Sequence, residues 1–272
     1  MDDRIRKIAT WANATAYDAQ LTQRYVDGAP HIKHEFLRTL YAALAVEVFD
    51  RAQTHSPIPY VLDLGAGEGS VTLAFLKLGA RVRAIDISPS QLDSLRVKCR
   101  QFGEMLEVQS EDIAETLKDS SKKFDVIVVN SFLHHVPDYL SLIEMAVPLL
   151  RPGGQFFAFQ DPLRYESLTL SALLLSKLAY VSWRLRQGDV LGGTIRHLRR
   201  ARGIYREDSI HDNAEYHVVR NGVDQEAIVK LFEKHQMKCR IIKYFSTQGR
   251  LFQAVGRKLG LENTFSAIAM KE

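Results

Sequence analysis

Apolar and polar positions follow two rhythms along this chain. From His34 to Phe49 the apolar residues Leu37, Leu40, Tyr41, Leu44 and Val48 recur at helical spacing. The preceding run from Asp27 to His31 is a turn or loop signal. The opening stretch is therefore expected to be helical. From residue 60 short apolar runs take over. Tyr60-Val-Leu-Asp-Leu ends in Gly65-Ala-Gly-Glu-Gly69, and a helical stretch follows from Ser70 to Leu78. Arg81 to Asp86 is a second strand that ends in an acid. Ser88 and Pro89 then open another helix, as N-cap and first helical residue.

The alternation continues. Leu106 to Gln109 is a short strand. Phe124 to Asn130 is apolar enough to be buried on both faces, as parallel sheets require. Tyr139 to Leu150 reads as a helix stopped by Arg151-Pro-Gly-Gly154, and Gln155 to Gln160 as a fifth strand. The pattern breaks from Asp161 to about Gly222, in a helical, apolar and basic stretch. Afterwards Asp224 to His235 is a helix, and Cys239 to Phe245 and Thr264 to Met270 are strands. Strands alternating with helices predict a doubly wound α/β fold. We expect a helical N-terminal region over 1–56 and a core over 57–162 and 222–272. A helical insert occupies 163–221.

Composition sharpens this. The chain has 272 residues, 46% apolar and 25% charged, which is ordinary for a globular protein and excludes disordered and low-complexity classes. Two cysteines make no disulfide framework and fit a reducing cytoplasm. The N-terminus lacks the apolar core of a signal peptide, and no stretch reaches about 18 uncharged apolar residues.

Charge is uneven. Between 177 and 206, Lys177, Arg184, Arg186, Arg196, Arg199, Arg200, Arg202 and Arg206 face Asp189 alone. That makes this segment +7 and leaves −3 for the rest of a chain whose net charge is +4. A solvated face is the default for such a run. It lacks the interleaved aromatics of a nucleic-acid surface, so no nucleic-acid partner is expected. The helix expected over Leu163 to Leu185 is apolar on two faces and needs two partners. One is the core. The other is a lipophilic substrate, a second subunit of a homodimer or a membrane surface.

The loop from Asp63 to Gly69 carries the candidate chemistry. Glycines there permit a tight turn and close approach of a ligand to the backbone. The spacing is GxGxG, not the GxGxxG of dinucleotide sites, and there is no GK[ST] for a P-loop. Glu68 sits inside the loop, where it would repel a pyrophosphate, and no Lys or Arg is expected nearby to compensate it. Asp86, 21 residues after Gly65, can accept hydrogen bonds from both hydroxyls of a ribose. Asp112 can hold the exocyclic amine of an adenine, with Ile113 against the ring. His134 and His135 follow the fourth strand and are candidate general bases. His211, Tyr216 and His217 form a polar, aromatic cluster suited to a substrate wall, with His217 a further candidate base. Asp161, at the end of the fifth strand, is a candidate substrate contact. No cluster has the spacing of a metal site.

Taken in order, the glycine loop, Asp86, the pair Glu111 and Asp112, the run from Phe124 to Asp138 and Leu149-Leu-Arg-Pro-Gly-Gly154 resemble class I S-adenosylmethionine-dependent methyltransferases of the small-molecule type. The resemblance implies a Rossmann-like sheet of seven strands with the last antiparallel, and S-adenosylmethionine as cofactor. It implies that Gly65, Ala66 and Gly67 meet the methionine part, Asp86 the ribose, and Ile87, Asp112 and Ile113 the adenine. Asn130 and Ser131 would lie beside the sulfonium. An N-terminal cover carrying Tyr17, Tyr25 and His34 would close over the cofactor. The chain has Asn130-Ser-Phe-Leu where nucleobase methylators of this family carry Asn/Asp-Pro-Pro-Tyr. The expected activity is methylation of a small, lipophilic metabolite of secondary metabolism, oxygen being the favoured acceptor. A membrane-associated lipid or quinone methyltransferase and a non-catalytic cofactor-binding partner protein stand as alternatives.

Overall fold

The computed structural model describes residues 29–118, 121–186 and 221–272. Seven strands form one sheet: β1 (Tyr60–Leu64), β2 (Arg81–Asp86), β3 (Leu106–Ser110), β4 (Phe124–Asn130), β5 (Leu150–Pro162), β6 (Met237–Tyr244) and β7 (Thr264–Lys271). Their order is β3-β2-β1-β4-β5-β7-β6. All pairings among β1 to β5 are parallel, and β7 runs antiparallel to both of its neighbours. This is the expected Rossmann-like sheet with the last strand reversed.

Side-chain alternation assigns the two faces. Val61, Val126, Val128, Phe157 and Phe159 point to one face, where they meet α2 (Glu35–Gln53) and α3 (Ser70–Leu78) through Leu44, Val48 and Phe75. Leu62, Leu64, Ile127, Val129 and Phe156 point to the other. There they meet α5 (Ile113–Lys118), α6 (Tyr139–Ala146) and α8 (Gln225–Lys234). Alternate residues of a strand face opposite sides, so strands buried on both faces read as unbroken apolar runs. A short helix, α1 (Pro30–Lys33), precedes α2. α4 (Pro89–Cys99) starts at Ser88, whose side chain accepts from the Gln91 N–H, with Pro89 in its first turn as expected.

The structure corrects some boundaries. Arg151 to Gly154 do not end a helix but lie within β5, which begins at Leu150 and shifts register against β4 between Phe124 and Val126. The helix before it stops at Ala146 and gives way to a 3₁₀ turn, Val147–Leu149. Two helices escaped the sequence reading: α5, and α9 (Arg250–Lys258). Gly256 hides α9, because glycine disfavours a helix interior. A Cβ there would stand 2.1 Å from the Phe245 ring, so the close packing of that helix requires it.

The insert after β5 begins with α7 (Leu170–Arg186). Its two ends meet where Leu163 pairs in parallel with Val223, and the Val223 N–H donates to the Pro162 carbonyl at 3.0 Å. Gly222 makes this closure possible: its φ is +90°, and a Cβ would lie 2.2 Å from the Leu163 carbonyl oxygen. Gly222→Ala should therefore destabilise the fold by about 1–3 kcal/mol. Urea unfolding of the purified variant measures this, and an unchanged midpoint refutes it.

Candidate active site

The site is built at the carboxyl ends of β1, β2, β4 and β5. Gly65, Gly67 and Gly69 all have left-handed φ, at +73°, +53° and +86°. At Gly65 a Cβ would collide with the Phe132 ring at 2.3 Å, and at Gly69 with Leu95 at 2.7 Å. At Gly67 it would meet nothing within 4 Å, so the loop leaves open space at that residue. Its amides are nonetheless spoken for. Those of Gly65 and Ala66 donate to the Ile85 carbonyl at 2.9 and 3.0 Å, and Gly67 donates to Asp86 Oδ2 at 2.9 Å. An anion-binding loop presents free N–H groups, and these three are used.

That observation takes over an argument which the charge of Glu68 was expected to make. Lys98 of α4 forms an ion pair with Glu68, although it is distant in sequence. The carboxylate is thus compensated, and the spent amides are what disfavour a pyrophosphate here.

Asp86 accepts from Gly67 through one oxygen and from the Ser88 N–H through the other, at 2.8 Å. Burial raises its pKa, and the amide donors of Ser88, Gly67 and Ile87 pull the other way. A carboxylate has about four acceptor sites, so capacity remains for further donors. Ile87 follows it, half-buried. Asp112 Oδ1 accepts the Ala114 N–H at 2.8 Å and so caps α5. Ile113 packs into the apolar cluster with Leu117 and Leu142. Both therefore serve the start of α5, which the sequence reading had missed.

At the end of β4, Asn130 Nδ2 stands 3.3 Å from His31 Nε2 of α1. Ser131 takes a left-handed φ of 52° and donates its N–H to the Phe159 carbonyl at 2.7 Å. β5 answers with a bulge: Gln160 is left-handed, φ 68°, and the pairing with β7 shifts between Phe159 and Asp161. The shift brings Asp161 to His134. Asp161 Oδ1 accepts the His134 N–H at 3.1 Å and lies 2.7 Å from His134 Nδ1. The His135 ring packs beside that of His134, centroids 4.0 Å apart.

Burial dominates the electrostatics. It pushes Asp63 up to about 7 and Asp161 up to about 8, and pulls His31 down to about 4 and His134 down to about 3. Asp161 and His134 are thus both shifted toward their uncharged forms. Asp63 Oδ2 accepts from Thr72 Oγ1 at 2.5 Å. Tyr41, read from sequence only as part of an apolar stripe, has its hydroxyl buried and its pKa raised by burial and then by Asp63. Among the described residues, several buried polar atoms have no partner: Asp63 Oδ1, Asn130 Oδ1, His31 Nδ1, Asp161 Oδ2 and the Tyr41 hydroxyl.

His34 is placed elsewhere. Its Nε2 lies 2.7 Å from the Thr247 carbonyl oxygen, which ties the start of α2 to the loop after β6. His31, not His34, is the histidine that reaches the end of β4. Tyr17, Tyr25, His211, Tyr216 and His217 lie outside the described residues.

Residues 62–158 match the family model described as methyltransferase domain. This segment is similar to methyltransferase domains. Ubiquinone biosynthesis O-methyltransferases are among its curated relatives. That of Xanthomonas axonopodis pv. citri (strain 306) is 31% identical over 97 residues, 36% of this chain and 41% of the relative. That of Histophilus somni (strain 2336) is 37% identical over 101 residues, 36% of this chain and 42% of the relative. The matched part is thus about two fifths of the relatives' length. Solved structures share the fold. A plantazolicin methyltransferase in complex with SAH is 14% identical with a TM-score of 0.56, covering 99% of this chain and 97% of its own. Magnesium protoporphyrin IX methyltransferase from Synechocystis PCC 6803 with bound SAM is 14% identical with a TM-score of 0.54, covering 97% of each chain.

The matched segment carries a pH signature through Asp63. Its raised pKa means that the folded state keeps this proton to higher pH than the unfolded state. The stability this confers is complete below the ordinary value of 3.8 and is lost as pH rises to about 7. Asp63→Asn cannot lose it. Across that window the melting temperature of Asp63→Asn should climb relative to wild type, then run parallel. The limiting slope is about 1.4 kcal/mol per pH unit. A constant offset at every pH would show that Asp63 is not held protonated.

Proposed function

We propose that the chain is an S-adenosylmethionine-dependent methyltransferase acting on an oxygen of a small, lipophilic acceptor. One observation carries the reading. Buried polar atoms without partners among the described residues, on Asp63, Asn130 and His31, belong to the ends of β1 and β4 and to α1, and Gly67 keeps open space on the loop after β1. Buried polar groups in folded proteins are almost always satisfied, so these point to a bound polar molecule. The residues fit the cofactor. Asp86 has acceptor capacity for a ribose diol, and Asn130 and Ser131 sit where β4 ends. Loop amides turned inward leave no nest for a phosphate, which this cofactor lacks.

When bound, the cofactor supplies an electrophilic methyl carbon on a sulfonium. The protein's part is alignment and charge matching. Burial keeps His31 and His134 uncharged, so neither repels a cationic ligand. The same burial makes both weak proton acceptors. We therefore assign His134, with Asp161 on its Nδ1 and His135 against its ring, to positioning the segment after β4. His31 carries the described part of an N-terminal cover to the site. A quinol-type phenol suits this design better than an alkyl alcohol, since its hydroxyl is by far the more acidic. The partial match to ubiquinone biosynthesis O-methyltransferases supports that acceptor class. Free Cys99 and Cys239 are consistent with work in a reducing cytoplasm.

Calorimetry with S-adenosylhomocysteine tests the cofactor. Asp86→Ala should weaken binding about tenfold or more, since charge-assisted hydrogen bonds contribute about 1.5–3 kcal/mol. Gly67→Val should abolish binding, because its side chain would fill the open space over the loop. Unaltered affinity in both variants would refute the assignment. Transfer of a labelled methyl from S-adenosylmethionine to phenols, beside amines as control, tests the acceptor. Labelled amines with unlabelled phenols would overturn oxygen transfer.

A further inference from the structure

α7 leaves the carboxyl end of β5 and packs against α9. Its inner face is small: Ala172 and Ala179 are fully buried, and the Ser176 hydroxyl accepts from the Asn263 side-chain amide at 2.9 Å. α9 turns Gln253 and Gly256 inward. The outer faces are apolar. On α7, Leu170, Leu174, Leu178, Val181 and Leu185 are exposed at helical spacing. On α9, Leu251 and Val255 are exposed as well, with Leu259 just beyond its end. Leu170 and Leu251 are each 71% exposed. Apolar residues scattered singly over a surface need no explanation, but stripes on two touching helices do.

The charges at these stripes are of one sign. Lys177 and Arg186 on α7, and Arg250, Arg257 and Lys258 on α9, are exposed, and neither helix contains an acid. Arg250, Arg257 and Lys258 also line a cavity of about 510 Å³ with His34, Phe36 and one exposed acid, Glu35 of α2, the Arg257 guanidinium lying 5.0 Å from the centre of the Phe36 ring.

We infer that the outer faces of α7 and α9 form a docking surface for an anionic phospholipid leaflet. Leucines enter the boundary between headgroups and acyl chains, and the cations meet lipid phosphates. A second copy of the chain suits the surface less well. A two-fold interface sets the same patch against itself and would face cations with cations. Among the described residues no helix is long and apolar enough to cross a membrane, so both helices lie on its surface. The inference stands independently of methyl transfer, since lipid binding is read without cofactor or acceptor.

Sedimentation of the full chain with vesicles of phosphatidylglycerol, beside phosphatidylcholine alone, decides it. Binding is expected to the anionic vesicles, to loosen with salt, and to be weak on the zwitterionic ones. The double variant Leu174→Asp with Leu178→Asp should lose about tenfold or more of the partitioning. Arg257→Gln with Lys258→Gln should lose chiefly the preference for anionic lipid. Circular-dichroism melting verifies that each variant is folded; should the aspartate pair fail to fold, Leu251→Gln takes its place. Absence of wild-type binding to phosphatidylglycerol overturns the inference, as does equal binding by folded variants. A dimer in light scattering that Leu174→Asp dissociates, without vesicle binding, overturns it in favour of a second copy.

Discussion

The Asp86 carboxylate is the point on which the ligand-facing structure depends. One oxygen holds the Gly67 amide and the other the Ser88 amide. A single group therefore fixes the loop after β1 and the start of α4, at the very end of β2. The Glu111 N–H also donates to the Asp86 carbonyl, which draws in the end of β3. Three neighbouring strands thus end against one residue. Because the carboxylate is anchored by amides on both sides, its remaining lone pairs are held in fixed directions. A ligand meets them without first paying to order them.

The other constraint is burial. A site that excludes water makes every isolated charge costly. This one holds Asp63, Asp161, His31 and His134 near neutrality by pushing acids up and imidazoles down. The backbone at the ends of β4 and β5 contributes. Ser131 and Gln160 both adopt left-handed conformations, which cost non-glycine residues energy. In return the β5 bulge delivers the Asp161 carboxyl to the His134 amide and ring. The same bulge sends Gln160 the other way, its N–H donating to the Tyr244 hydroxyl at 2.9 Å and its side-chain amide to Ser246 at 2.5 Å.

Local periodicity made the sheet legible. β2 and β4 matched the expected residues, as did α3, because runs buried on both faces and caps such as Ser88 are local signals. The missed elements depend on distant partners. α9 contains a glycine whose reason is the Phe245 ring, and β5 starts early because Arg151 reaches Asp125 at 2.8 Å. In the site, Gly67 and Asp86 were legible through spacing. Lys98 beside Glu68, Tyr41 beside Asp63 and His31 beside Asn130 were not, since each pair is made by folding. His34 and His31 sit three residues apart, and sequence alone had no means of telling the site histidine from the latch.

That latch links the site to the far side of the sheet edge. β6 runs antiparallel to β7, and β7 antiparallel to β5, so β6 ends at the same edge as the cofactor-side strands. The loop after it carries Thr247, which accepts His34, and Asn263, whose side chain takes the Ser246 N–H and donates to Ser176 of α7. α1, α7 and α9 are therefore fastened to one loop system. The surface that α7 and α9 present is thus tied, through His34, Asn263 and Ser176, to the same end of the sheet that carries Asn130 and Asp161.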